Sequence, residues 1–210
     1  MRLRSIGLSL ASTASRALSL IVALSIAVPV VARAQGTTPP HTAADVRFMQ
    51  GMIHHHAQAV TMAALVPTRS SRQDLKMLAM RIDVSQVDEI EWMRNWLRDR
   101  EEPLADTTVA AHAEHAAHAE HGGGALMPGM LSADAMSALE RASGAEFDRL
   151  FLEGMIRHHE GAIVMVAQLF SSPGAGQESM IFGFASDVDS DQRAEIARMR
   201  RLLASMPPAR

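Results

Sequence analysis

Apolar positions recur along this chain at helical spacing, and no segment alternates as a half-buried strand would. At 100° per residue, Phe48, Met52, Ala59 and Ala63 share one face. A second stripe runs through Leu75, Leu78, Ala79, Ile82, Ile90, Met93, Trp96 and Leu97, with Gln86 and Glu89 in the middle of it. The whole pattern then returns. Aligning Gly51 with Gly154 pairs Asp45 with Asp148, Phe48 with Phe151, Met52 with Met155, His55 with His158, His56 with His159 and Met62 with Met165. "QVDEIEWMRNWL" from Gln86 is echoed by "QRAEIARMRRLL" from Gln192, on a stripe that carries Ile181, Phe184, Ala185, Val188, Glu195, Ile196, Met199, Leu202 and Leu203. An internal repeat of this kind describes two copies of one unit, here a helical hairpin.

Turn residues place the ends. Helix one is predicted over 42–66, stopped by Pro67, and helix two from an N-cap at Ser71 to about 100, before Pro103. A short helix is predicted over 132–143. The third long helix follows from Gly144 to the "SSPGAG" of 171–176, and the fourth ends near 205, before Pro207 and Pro208. Two amphipathic hairpins, 42–100 and 132–205, bury their stripes most simply as one all-α domain, a four-helix bundle. Between them, 101–131 reads as a His-, Gly- and Met-rich linker.

Residues 1–34 fall outside this scheme. Arg2 and Arg4 precede an apolar run over 17–31, and Ala32-Arg33-Ala34 has the small-x-small form of a cleavage site. The segment reads as a secretory signal peptide cut after Ala34, which puts the mature chain in the periplasm or outside the cell, with no stable membrane insertion. The cut removes four Arg and no acid, taking the net charge from −3 to −7. An acidic surface argues against nucleic acid and favours cations.

Composition narrows the chemistry. The 210 residues include no Cys and no Tyr, which removes disulfides, thiolate sites and tyrosyl radicals, but they include 15 Met and 10 His. Thioethers and imidazoles without thiols suit copper, as Cu(I) or Cu(II), and no organic cofactor is expected. His55 and His56 flank the apolar face of helix one, whereas His54 points away and has Arg157 as its repeat partner, which marks that position as solvent-facing. The candidate metal ligands are therefore Met52, His55, His56 and Met62, their copies Met155, His158, His159 and Met165, and the core-facing carboxylates Glu89 and Glu195. Weaker candidates are Met93, Met199, Gln86, Gln192, the linker histidines His112, His115, His118 and His121, and Met127 and Met130 of "MPGM".

"FMQGMIHHHAQAVTMA", "FDRLFLEGMIRHHEGAIVMV" and the two Q-x-x-E-I-x-x-M blocks resemble the DUF305 family, which includes CopM-like periplasmic copper-binding proteins. The resemblance covers about 43–203. It implies a ferritin-like four-helix bundle and, for some members, copper bound by Met and His, at the matching positions Met52, His55, His56, Met62, Met155, His158, His159 and Met165. The extra His54 and the His-rich linker depart from the family pattern.

Three functions stay open at this point. The first is a non-enzymatic copper protein serving sequestration, resistance or trafficking, with metal ions and another copper-handling protein as partners. The second is a ferritin-like di-metal oxidoreductase, although no Glu-x-x-His of the kind such bundles use is present. The third is a metal-free helical interaction protein, in which the carboxylates merely accept hydrogen bonds from the histidines. No hydrolytic triad or nucleotide-binding loop was found.

Overall fold

The computed structural model describes residues 41–104 and 126–207; the expected signal peptide and the four linker histidines lie outside them. Five helices and no strand occur among the described residues: α1 (Ala43–Arg69), α2 (Gln73–Asp99), the short α3 (Ala133–Arg141), α4 (Gly144–Ser171) and α5 (Ser179–Ala204). α1 packs along α2 and α4 along α5, as the repeat requires, and the hairpins join chiefly through α1 against α4. The two hairpins belong to one compact unit. No described helix is long and apolar enough to cross a membrane.

Helix ends follow local chemistry. α1 opens on a capping box: the Thr42 hydroxyl accepts from the Asp45 N–H, and the Asp45 carboxylate accepts from the Thr42 N–H at 2.7 Å. The other Asp45 oxygen accepts from the Gly176 N–H at 2.7 Å, tying the start of α1 to the α4–α5 loop. Asp45 is buried, so Asp45→Ala strands two amides at once. A loss of about 2–3 kcal/mol is expected, measured as a shift in the urea midpoint at unchanged slope.

Two expected boundaries are corrected. Pro67 does not stop α1 but sits inside its last turn. A proline removes one donor and displaces one carbonyl. Near a helix end this is tolerated, and the last turn still closes through the Ser70 N–H donating to the Val66 carbonyl at 3.0 Å. Nor does Ser71 cap α2. Arg72 holds the cap position without a side-chain bond, and the Ser70 hydroxyl accepts from the Arg72 N–H.

The core comes in two blocks. Near the start of α1, Phe48, Met49, Met52 and Ile53 pack with Met93, Trp96 and Leu97 of α2 and with Met165, Val166, Leu169, Ile181, Ala185 and Val188. Further along α1, Met62 and Val66 pack with Leu75, Leu78 and Ile82 and with Phe147, Phe151, Met155, Ile196 and Met199. Each large side chain buried in these blocks stabilises the fold by about 1.5–3 kcal/mol. The first block is closed by a polar clasp, where the Trp96 indole N–H and the Arg100 guanidinium both donate to Glu178, just ahead of α5.

Candidate metal centre

Between the two apolar blocks lies a polar layer, contributed by the same turn of each long helix. α1 supplies His55 and His56, α4 supplies His158 and His159, and all four are 0 % exposed. α2 and α5 supply Gln86 and Gln192, also buried, and Glu89 and Glu195, which sit at the edge with 19 % and 14 % of their side chains exposed. The helical repeat produces this arrangement. Adjacent histidines diverge by 100°, so one ring of each pair turns across the bundle and the other turns towards the helix of its own hairpin.

The lateral rings meet the carboxylates. His56 Nε2 donates to Glu89 Oε2 at 2.5 Å and His159 Nε2 to Glu195 Oε2 at 2.7 Å. The carboxylate fixes the hydrogen on Nε2 and leaves Nδ1 with its lone pair free, the arrangement by which an outer carboxylate orients a metal-binding imidazole. In this structure the two glutamates thus stand behind the histidines. The central rings meet each other, with the His55 and His158 centroids 3.8 Å apart at an interplanar angle of 36°. His55 Nε2 donates to the Pro128 carbonyl at 2.9 Å, which again leaves Nδ1 free.

Several buried polar atoms of this layer have no hydrogen-bond partner: Nδ1 of all four histidines, Nε2 of His158, both amide atoms of Gln86 and the amide oxygen of Gln192. Each such atom costs roughly 1–3 kcal/mol. A set of buried imidazole nitrogens held as lone-pair donors, between two blocks that contain thioethers, is what a soft or borderline metal ion requires. Met52, Met93 and Met165 are buried in the first block and Met62, Met155 and Met199 in the second. Among the described residues no three His, Asp or Glu side chains converge on one point. The donor set available is mixed imidazole and thioether, not a carboxylate cage.

Protonation follows burial. Desolvation, helped by the neighbouring His56, lowers the His55 pKa to about 3. Desolvation and the neighbouring imidazoles also push His158 well below the ordinary range; the His55 backbone carbonyl pulls weakly the other way without making a hydrogen bond. Both rings are neutral in the folded protein and take up a proton on unfolding below about pH 6.5. The unfolded state therefore binds more protons in that window. Stability, complete above about pH 6.5, is lost as pH falls towards 3, by several kcal/mol at the lower end. Melting temperatures of metal-free protein at pH 7 and pH 5 are expected to show the drop, and an unchanged value would contradict it.

Outside the Glu89 and Glu195 carboxylates the surface is acidic. A cleft of about 450 Å³ between α2 and α5 is lined by Asp88, Glu89, Asp187 and Asp191, beside the stacked rings of Trp92 and Phe184. Burial, followed by the charges of Glu89, Glu195 and Asp187, raises the pKa of Asp191, so both His–Glu pairs share one negatively charged side of the bundle.

Two features went unread in the sequence. The end of the expected linker, residues 127–131, is a strap laid across α1 and α4. The Gln58 amide pairs with both the N–H and the carbonyl of Leu131, at 2.8 and 3.0 Å. Gly161 lets the strap touch the helix, because a Cβ there would lie 1.9 Å from the Pro128 carbonyl oxygen. The signal was a Pro-Gly pair preceding a glycine in mid-helix, at the position where the first copy has Gln58. His54, expected to face solvent, is half-buried, whereas its counterpart Arg157 is exposed.

These features define a class: an all-α bundle of two repeated hairpins around a buried four-imidazole layer. The chain belongs to the DUF305 family, a domain of unknown function whose model matches residues 45–203. It is similar to a DUF305 fragment from Deinococcus radiodurans, at 28% identity and TM-score 0.64 over 80% of this chain and 100% of that one. It is also similar to a DUF305 protein from Streptomyces coelicolor described as a candidate secreted protein, at 25% identity and TM-score 0.64 over 80% and 98%. CopM in its Cu(I)-bound form shares the fold at 24% identity and TM-score 0.58 over 76% and 95%; CopM is also known in Cu(II)-bound and Ag-bound forms. No curated protein matches the chain.

Proposed function

We propose that this chain is an exported copper-binding protein that sequesters or passes on the ion and catalyses no reaction. The observation that carries this reading is the buried layer itself, in which four imidazoles keep an unpartnered Nδ1 between two apolar blocks rich in Met. Glu89 and Glu195 act as positioning residues, holding His56 and His159 in the tautomer that presents Nδ1. The acidic cleft beside them draws cations towards this side of the bundle. The N-terminal 34 residues and the copper-bound and silver-bound forms of CopM support export and cargo respectively.

A carboxylate-rich di-iron centre fits less well, since the two core carboxylates already serve the histidines and no Glu-x-x-His exists to add more. The reading is tested by metal analysis of the protein recovered from the exported fraction of its own host. The variant with His55, His56, His158 and His159 all changed to Ala is run beside it, with helicity checked by circular dichroism. Copper in the natural protein and its loss from a folded variant is the expected result. Absence of copper from the first, or equal copper in both, would overturn it.

A further inference from the structure

The repeat gives each long helix a counterpart in the other hairpin, so a feature carried by one copy alone is not demanded by the bundle. α2 carries such a feature. Met77, Met80, Val84 and Val87 are spaced three, four and three residues apart and form a stripe about 15 Å long on its outer face. They are 51, 63, 56 and 41 % exposed. No other helix among the described residues carries more than two exposed large apolar side chains. The register that pairs Gln86 with Gln192 sets Gly183, Ser186, Ser190 and Arg193 of α5 at the same four positions. The second hairpin therefore folds with no apolar stripe there, and the stripe on α2 is not needed to pack the first.

Charges flank the stripe unevenly. Lys76 and Arg81 lie beside its methionine end, and Asp83 and Asp88 beside its valine end. None of these four is in an ion pair among the described residues. Further out, Asp74 is paired with Arg72 and Glu91 with Arg94.

We propose that this stripe is the seam of an antiparallel homodimer, in which the α2 helices of two copies pack about a two-fold axis between Met80 and Val84. A two-fold interface uses the same patch on both partners, so the patch must complement itself. Antiparallel packing sets Met77 of one copy against Val87 of the other, and Met80 against Val84. It also brings the cationic end of each stripe over the anionic end of its mate, whereas parallel packing would set like charges together. Spacing of three and four is that of a helix–helix seam. Three turns of helix face bury on the order of 1,000 Å² in all, at the small end of specific interfaces, so a dissociation constant on the order of 10 µM is expected.

The pairing involves no metal and is tested with a chelator present. Sedimentation equilibrium of the mature chain from about 1 µM to about 500 µM is expected to show monomer and dimer in exchange. Met80→Ser with Val84→Ser installs the residues that α5 carries at the matching positions, so the helicity should be unchanged. This variant is expected to dimerise more weakly by about tenfold or more. The chain has no Cys, so the direction of packing is read from two single-cysteine variants, Gln73→Cys and Glu91→Cys, at the two ends of the stripe. Mixed and oxidised, they are expected to give chiefly the disulfide between unlike variants. Natural protein that stays monomeric at the highest concentration would overturn the dimer, whatever else the stripe binds. A folded Met80→Ser, Val84→Ser variant that dimerises as well as its parent would overturn it too. Disulfides formed chiefly between identical variants would overturn the antiparallel seam.

Discussion

Exchanging His55 and His158 together for Leu is expected to weaken Cu(I) binding by at least about two orders of magnitude while raising the melting temperature of the metal-free protein. The two rings meet at a centroid distance of 3.8 Å, tilted by 36°, in a fully buried layer, and three of their four nitrogens have no hydrogen-bond partner. Desolvation holds both neutral. Leucine is close in volume, has no polar atom and would join the apolar block on each side into one core. Replacing poorly satisfied buried polar groups with apolar ones of similar size stabilises where the replacement packs. Removing the cost of the three unpartnered nitrogens is worth about 2–4 kcal/mol, or roughly 5–15 °C for a chain of this length. Bound copper should stabilise the natural protein by mass action and leave the variant unmoved. Scanning calorimetry with and without Cu(I) checks both halves of the expectation. A variant that melts lower without metal and still gains from copper would show that the layer is a structural network.

Gly161→Ala is expected to destabilise the protein by about 2–4 kcal/mol, although alanine is the better helix former by up to about 1 kcal/mol. Its Cβ would lie 1.9 Å from the Pro128 oxygen, 2.4 Å from the Pro128 carbonyl carbon and 2.7 Å from Gly129 Cα. All three are backbone atoms, so the strap must lift as a unit. Lifting it takes the acceptor from His55 and breaks the paired bonds between Gln58 and Leu131. Gly183 in α5 is the control, because a Cβ there meets nothing within 4 Å, and Gly183→Ala should be neutral or stabilising. Urea denaturation compares the two. Hydrogen exchange at the Leu131 amide shows whether the strap has lifted, and a Gly161→Ala protein as stable as its parent with that amide still protected would contradict the account.

What the chain disclosed and what it withheld have physical reasons. Helical periodicity and the repeat are local signals, so the hairpins and the all-α bundle could be read directly, while membership of DUF305 came from the resemblance of the two His-His motifs and the two Q-x-x-E-I-x-x-M blocks and is shown by the family model. The divergence of adjacent histidines by 100° also let the inward pairs at 55–56 and 158–159 be separated from position 54. Roles set by tertiary contact were not legible. Gln86 and Glu89 lie on one stripe, yet only the distance to His56 shows that Glu89 stands behind an imidazole. Pro67 marks a helix end in isolation, yet the turn that contains it still closes through the Ser70 N–H to Val66. The strap looked like linker because its glycines and proline carry no periodicity. Its position is dictated by Gly161 and Gln58, more than 25 residues away on either side.

The central claim is that the buried imidazole layer and its thioether neighbours take up copper. A competition titration tests it most directly: metal-stripped mature protein against a chromogenic Cu(I) chelator under reducing, oxygen-free conditions, with the His55→Leu, His158→Leu variant alongside. The account predicts that the natural protein withdraws more than one equivalent of Cu(I) from the chelator and that the variant, though folded and more heat-stable, withdraws far less. Natural protein that leaves the chelator fully loaded would contradict it.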